Sequence, residues 1–255
     1  MENYILLTVI GLPFIGALLM IAIPAERIAV AHWLTRLVAT IGLMLAIYIF
    51  LSYDHETAGV QLRQSYSWLP SLGINLDLAV NGITAPLVLL NGVVFFSGTL
   101  ISRNITVRSK EFFFWLMLLV AGVYGTFLSL DLFFFFFFYE LAVLPMYLLI
   151  GVWGSSSDFG TFIRTKESGA LKLVLYLVAG SVLVWISIIA LWVEGGQSFN
   201  LLDMEQIQYS RNFQLIFFPL LAVGFGVLAG MWPFHTWSPD GHVAAPTAVS
   251  MLHAG

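Results

Sequence analysis

The sequence predicts an all-α, polytopic transmembrane helix bundle, and three observations carry that reading. Of the 255 residues, 60% are hydrophobic and only 9% are charged, where a soluble domain carries roughly 25% charged residues. Seven stretches approach or exceed the ~20 apolar residues that a spanning helix needs: 3–23, 31–52, 83–102, 111–130, 132–153, 169–193 and 213–234. Basic residues recur in every second connection between them. A chain so poor in charge cannot coat itself with polar surface. Residues 1–255 therefore read as a single membrane domain facing lipid, with no soluble domain. The net charge of −4, with its few scattered basic residues, leaves no footprint for nucleic acid. The absence of cysteine excludes disulfides and thiolate metal sites.

The first span, within MENYILLTVIGLPFIGALLMIAIP, lacks the basic start of a secretory signal and is too long for its apolar core. The connection 53–82 contains YDHETAGVQLRQSYSWLP. Its polar and aromatic character places it at the membrane surface, with Tyr66 and Trp68 suited to the interface. In the fourth span Ala121 and Gly125 lie four residues apart, and Ala179, Gly180 and Ser181 cluster in the sixth. Such small-residue patches allow close helix approach in lipid. After the seventh span, an eighth starts near Pro246 and is cut off at Gly255. Arg27 and Arg36 fall in the first connection, Arg103, Arg108 and Lys110 in the third, and Arg164 and Lys166 in the fifth. The second holds only Arg63, the fourth only Asp131 and the sixth only Arg211 among its basic or lone charges. The positive-inside rule then predicts cytoplasmic odd connections and an N-terminus outside, in a bacterial plasma membrane.

The fifth span, LFFFFFFYELAVLPMYLLIGVWG, holds one carboxylate, Glu140. It lies about 12 Å along the helix, near mid-membrane. A charge there costs about 2.5–3.5 kcal/mol even on insertion scales, and such residues mark ion pathways or tie helices together. Tyr147 shares its face. Pro145 frees the carbonyl of Leu141, which predicts a kink and a polar pocket. Six consecutive phenylalanine rings cannot all face lipid, so some must pack inside. Lys172, about one turn into the sixth span, either snorkels to the interface or pairs with a carboxylate and passes protons. Tyr176 shares its face. In GVLAGMWPFHTWSPDGHVAAPTAVSMLHAG, Gly230 and Pro233 predict a broken helix, and broken helices line cavities. His235, His242 and His253 follow. Their spacing matches no standard metal site, so proton transfer or hydrogen bonding is expected and a metal is not. Asp240 is expected to make a turn or cap a helix. No nucleophile elbow, phosphate loop or dinucleotide fingerprint is present, so no catalytic residue, cofactor or soluble small-molecule substrate is expected.

The segments YELAVLPMYLLIGVWG, SGALKLVLYLVAGS and WPFHTWSPDGHVAAPTAVSMLHAG resemble the antiporter-like membrane subunits of respiratory complex I. The similarity runs over nearly the whole chain and is nearest to the chain M (chain 4) branch of NADH–quinone oxidoreductase. The resemblance implies an inverted-repeat fold of which this chain is the front part. It also implies proton translocation driven by quinone reduction elsewhere, in a subunit with no redox cofactor or active site of its own. Chain L- and N-like subunits are the implied neighbours. Glu140 matches the family's fifth-helix glutamate, Lys172 a sixth-helix lysine, and His235 and His242 the histidines around the seventh helix. The family usually carries a lysine seven residues before His235; here that position is Leu228. A subunit of a sodium/proton antiporter or hydrogenase-linked pump, and a structural spacer that does not pump, are the competing readings.

Overall fold

The computed structural model describes residues 4–57, 59–158 and 163–254. Residue 3, the predicted start of the first span, and Gly255 lie outside them. Seven helices among the described residues are long and apolar enough to cross a membrane. They are α1 (Ile5–Ala22), α2 (Ile28–Ser52), α3 (Thr84–Ile101), α4 (Ser109–Leu128), α5 (Leu132–Trp153), α6 (Lys166–Glu194) and, after the short α7 (Leu201–Glu205), α8 (Arg211–Leu228). Two eight-residue helices follow, α9 (Trp237–Ala244) and α10 (Thr247–Ala254). Side chains set several of the starts. Asp131, Thr165, Asn200 and Ser210 cap α5, α6, α7 and α8 by accepting from free backbone N–H groups of the first turn. The Thr165 cap starts α6 three residues earlier than predicted.

Helix α4 is the centre of the bundle and packs against α1, α2, α3 and α5. Glycines set its spacing from α5. A Cβ on Gly122 would stand 2.8 Å from the Phe138 carbonyl oxygen, and one on Gly125 would fall inside the Phe138 ring. Between α6 and α8, a Cβ on Gly180 would stand 2.9 Å from Leu228, and one on Gly224 2.9 Å from the Gly180 carbonyl. Both predicted small-residue patches therefore lie at helix contacts. The phenylalanines spread around α5. Phe134 and Phe138 are buried, and Phe136 stacks on Trp185 of α6 at 4.6 Å. Phe135 meets Phe225 of α8 at 6.2 Å, and Phe137 is 48% exposed.

The connection 53–82 carries regular structure. It holds an antiparallel hairpin, β1 (Gln61–Leu69) and β2 (Ile74–Val80), turning at Gly73. Strand β2, INLDLAV, opens with apolar–polar alternation, which is the signature of a strand with one buried face. A second small hairpin pairs β3 (Ser157–Asp158) with β4 (Ile163–Arg164). The even connections meet at one end of the bundle. Leu130 N–H donates to the Asp77 carbonyl at 2.8 Å, Leu132 N–H to Phe199 at 2.9 Å, and Leu201 N–H to Leu130 at 2.9 Å. Asn200 donates its amide to the Asp77 carboxylate. Asp131, fully buried, accepts from Phe133 N–H (2.9 Å), Phe134 N–H (3.1 Å) and Asn75 N–H (3.1 Å). Burial raises the Asp131 pKa, and those three donors oppose the rise. Odd connections gather at the other end. Lys110 donates to Ile21 at 2.8 Å, Trp153 to Val107 at 2.9 Å, and Ser155 to Ala244 at 2.9 Å.

Asp131→Ala removes a helix cap and strands the Asn75 donor. The expected cost is about 1–2 kcal/mol. Thermal unfolding in detergent checks it, and an unchanged midpoint would show that the capping carboxylate contributes nothing.

Candidate functional site

Helix α5 presents Glu140 as its ninth residue of 22. Its Oε1 is buried and accepts no hydrogen bond among the described residues. Phe136, one turn earlier on the same face, stacks on Trp185, so this face looks toward α6. Proline 145 sits within α5, which remains one helix through it. The adjoining face, with Tyr139, Ala142, Val143 and Met146, lines a cavity of about 230 Å³. Val123, Thr126 and Phe127 of α4, Leu177 of α6, Leu228 of α8, Trp237 of α9, and Leu252 and His253 of α10 complete its wall. The lining is mostly apolar. The Tyr139 hydroxyl and His253 Nδ1 are buried and have no hydrogen-bond partner among the described residues.

The seventh span ends earlier than predicted, at Leu228, and the chain turns through Gly230, whose φ of +67° is left-handed. Only glycine adopts that conformation without strain. Trp232–Pro233 is cis. The freed carbonyls of α8 are satisfied locally. Gly226 accepts from Met231 N–H at 2.8 Å, and Val227 accepts from the Trp237 indole at 2.9 Å. Trp237 thereby holds α9 against the end of α8, and Leu228 stays in the cavity wall. His235 is exposed on the turn, outside that wall. His242 pairs with Ser250 at 2.9 Å and stacks on His253 at 4.1 Å, and His253 stacks in turn on Trp237 at 5.3 Å. Among the described residues no three His, Cys, Asp or Glu side chains gather as a metal site.

Lys172 lies nearly two turns into α6, because that helix begins at Lys166. Its Nζ donates to Asp240 Oδ2 at 2.8 Å, while Arg164 NH1 meets Asp240 Oδ1 at 2.8 Å. Asp240, in the first turn of α9, is thus neither a simple turn residue nor a cap. It ties β4 and α6 to the helix beyond the break. Lys172 is committed to Asp240, not to Glu140. Tyr176 accepts from, or donates to, Thr236 at 3.3 Å. Tyr147 borders a separate cavity of about 210 Å³ with Glu167. The structure thus gathers Tyr139, Leu228 and His253 at one cavity, with Glu140 adjoining, and holds Lys172 and Asp240 together at another point. The Asp240 pairing spans 68 residues, which no local pattern announces. Asn91, an amide in the apolar third span, is a further signal visible in the sequence.

Residues 129–255 match the family described as NADH:quinone oxidoreductase/Mrp antiporter, TM. Over 253 residues the chain is 34% identical to NAD(P)H-quinone oxidoreductase chain 4 3 of Picosynechococcus sp., covering 98% of this chain and 44% of that one. It is similar in fold to a chain of respiratory complex I from Thermus thermophilus with bound NADH, with TM-score 0.82, 23% identity, and coverage of 97% of this chain and 49% of that chain. A chain of the Mrp complex from Dietzia sp. superposes with TM-score 0.72 at 22% identity, covering 100% of this chain and 26% of that chain. The chain therefore spans under half the length of the curated relative it matches.

Proposed function

We propose, on the premise that residues 129–255 of this chain belong to the NADH:quinone oxidoreductase/Mrp antiporter transmembrane family, that the chain contributes to a proton-translocating membrane-arm subunit of NADH–quinone oxidoreductase. The observation that carries the proposal is Glu140: a mid-span carboxylate with a buried, unpartnered oxygen, next to a cavity shared by six helices. A carboxylate held at that depth without a fixed cation is able to gain and lose a proton or exchange partners, and a structural tie would have its partner in place. Tyr139, His253 and His242 supply groups that pass protons onward. The Lys172–Asp240–Arg164 cluster orients the broken helix. His235, Tyr147 and Tyr176 lie outside that cavity's wall, and are proposed as hydrogen-bonding groups beyond it. The subunit carries no redox chemistry of its own, and its neighbours are other membrane-arm subunits, chains L and N-like. The N-terminus lies outside a bacterial plasma membrane, as the clustering of Lys110, Arg108 and Arg164 on odd connections supports.

The test is Glu140→Gln in the assembled complex. Proton uptake per quinone reduced in sealed vesicles is expected to fall several-fold while assembly persists. A normal ratio in an assembled variant would overturn the proposal. It would favour the spacer reading, which Leu228 in the cavity wall supports. Uptake that follows sodium would instead favour an antiporter subunit, in line with the likeness to the Mrp chain.

A further inference from the structure

Asn91 is the eighth residue of the 18-residue α3, near the middle of the membrane, and is 4% exposed. Neither its Oδ1 nor its Nδ2 has a hydrogen-bond partner among the described residues. An unpaired amide is costly at that depth, where bulk water does not reach. Asn91 lines a cavity of about 10 Å³ walled by Leu90, Val94, Val123, Phe127 and Leu252. That is close to the least space that holds one water. Val123, Phe127 and Leu252 also wall the 230 Å³ cavity. The two spaces are thus separated by three side chains. On the far side, the Tyr139 hydroxyl and His253 Nδ1 also lack partners among the described residues. The Tyr124 hydroxyl, buried and unpartnered too, lies against the same turn of α3 at Gly92. Unsatisfied donors and acceptors therefore recur from α3 to α5, in a part of the bundle that hydrocarbon composition would make dry.

We propose that Asn91 is a water-binding site, and that its water joins the water of the larger cavity past Phe127 and Leu252. The polar path at Tyr139 and His253 then has a lateral branch toward α3, on a helix that carries no ionisable group. An amide suits this place because it donates and accepts without carrying charge, so it supports a water chain without trapping a proton. The hydration stands on the cavities alone; only its use as a proton branch rests on the function proposed above.

The experiment is X-ray hydroxyl-radical labelling of the assembled complex read by mass spectrometry, since side chains beside ordered water react fastest. Phe127, Tyr139 and Met146 are expected to label several-fold faster than Met117 and Phe113, which are fully buried against Gly16 of α1 and His32 of α2. Asn91→Leu is expected to lower Phe127 labelling several-fold, and Asn91→Ser, which keeps a donor and an acceptor, to retain it. Phe127 and Tyr139 labelling no faster than Met117 would overturn the site. So would Phe127 labelling that ignores Asn91→Leu. Should the leucine variant not assemble, the unmodified complex and the serine variant still decide. Labelling as expected together with normal pumping in Glu140→Gln would leave the water site standing and remove the proton-translocation reading.

Discussion

Gly125→Leu is expected to leave no folded protein in the membrane, and Gly125→Ala to lower the thermal midpoint sharply. The alanine Cβ would occupy the space of the Phe138 ring, and Phe138 is itself held between Phe134 and Phe137. Gly122, one turn earlier, brings α4 to within 2.8 Å of the Phe138 carbonyl by the same measure, so the two backbones have no room to part locally. Overpacking a tight core costs about 1–3 kcal/mol and occasionally more, and this contact belongs at the upper end for alanine. Size-exclusion profiles after graded heating in detergent measure the loss. The cause is checked by a second substitution. Phe138→Leu should recover part of the Gly125→Ala loss, because neighbours sharing one space are not additive. A Gly125→Leu protein with an unchanged midpoint would show that the helices are set farther apart than described.

Asp240→Leu is expected to release the segment beyond the helix break. The change leaves the Arg164 guanidinium and the Lys172 ammonium without their shared carboxylate. Removing one partner of a fully buried pair costs roughly 3–5 kcal/mol. Arg164 and Lys172 are 27% and 36% exposed, so water recovers part of that and about 2 kcal/mol is the expected loss. Tryptic cleavage after Arg164 and Lys172 should accelerate, and α9 should lose protection in hydrogen exchange. Asp240→Asn, which still accepts one donor, should fall between the two. Unchanged protection of residues 237–244 in Asp240→Leu would place the hold on α9 elsewhere, with the Trp237–Val227 hydrogen bond as the remaining tie.

Most of the bundle is legible in the sequence because lipid imposes one rule on every span. The stretches 83–102 and 132–153 differ from α3 and α5 by a residue or so. The break after Leu228 is legible because Gly230 and Pro233 each interrupt helical backbone for known reasons. The hairpin at 61–80 is masked by the polarity of YDHETAGVQLRQSYSWLP, although INLDLAV carries the alternation. The partners of the charged groups are not legible. Asp240 faces a lysine 68 residues away, and Asp77 faces an asparagine 123 residues away. Chain order fixes neither. The sequence leaves Lys172 either to snorkel or to pair with a carboxylate, and the carboxylate it takes is Asp240.

The clasp of Asp77, Asp131 and Asn200 has a consequence for biogenesis. Its parts leave the ribosome far apart in time. At roughly 5–20 residues per second, the 123 residues from Asp77 to Asn200 take about 6–25 s. For that interval the buried Asp77 carboxylate has Arg63 of its own hairpin beside it but still lacks the Asn200 amide. Helices α3, α4, α5 and α6 must therefore enter the bilayer while their ends at the clasp are still loose. Closure of the clasp is a late checkpoint, available only to chains whose intervening spans were all threaded in the right sense.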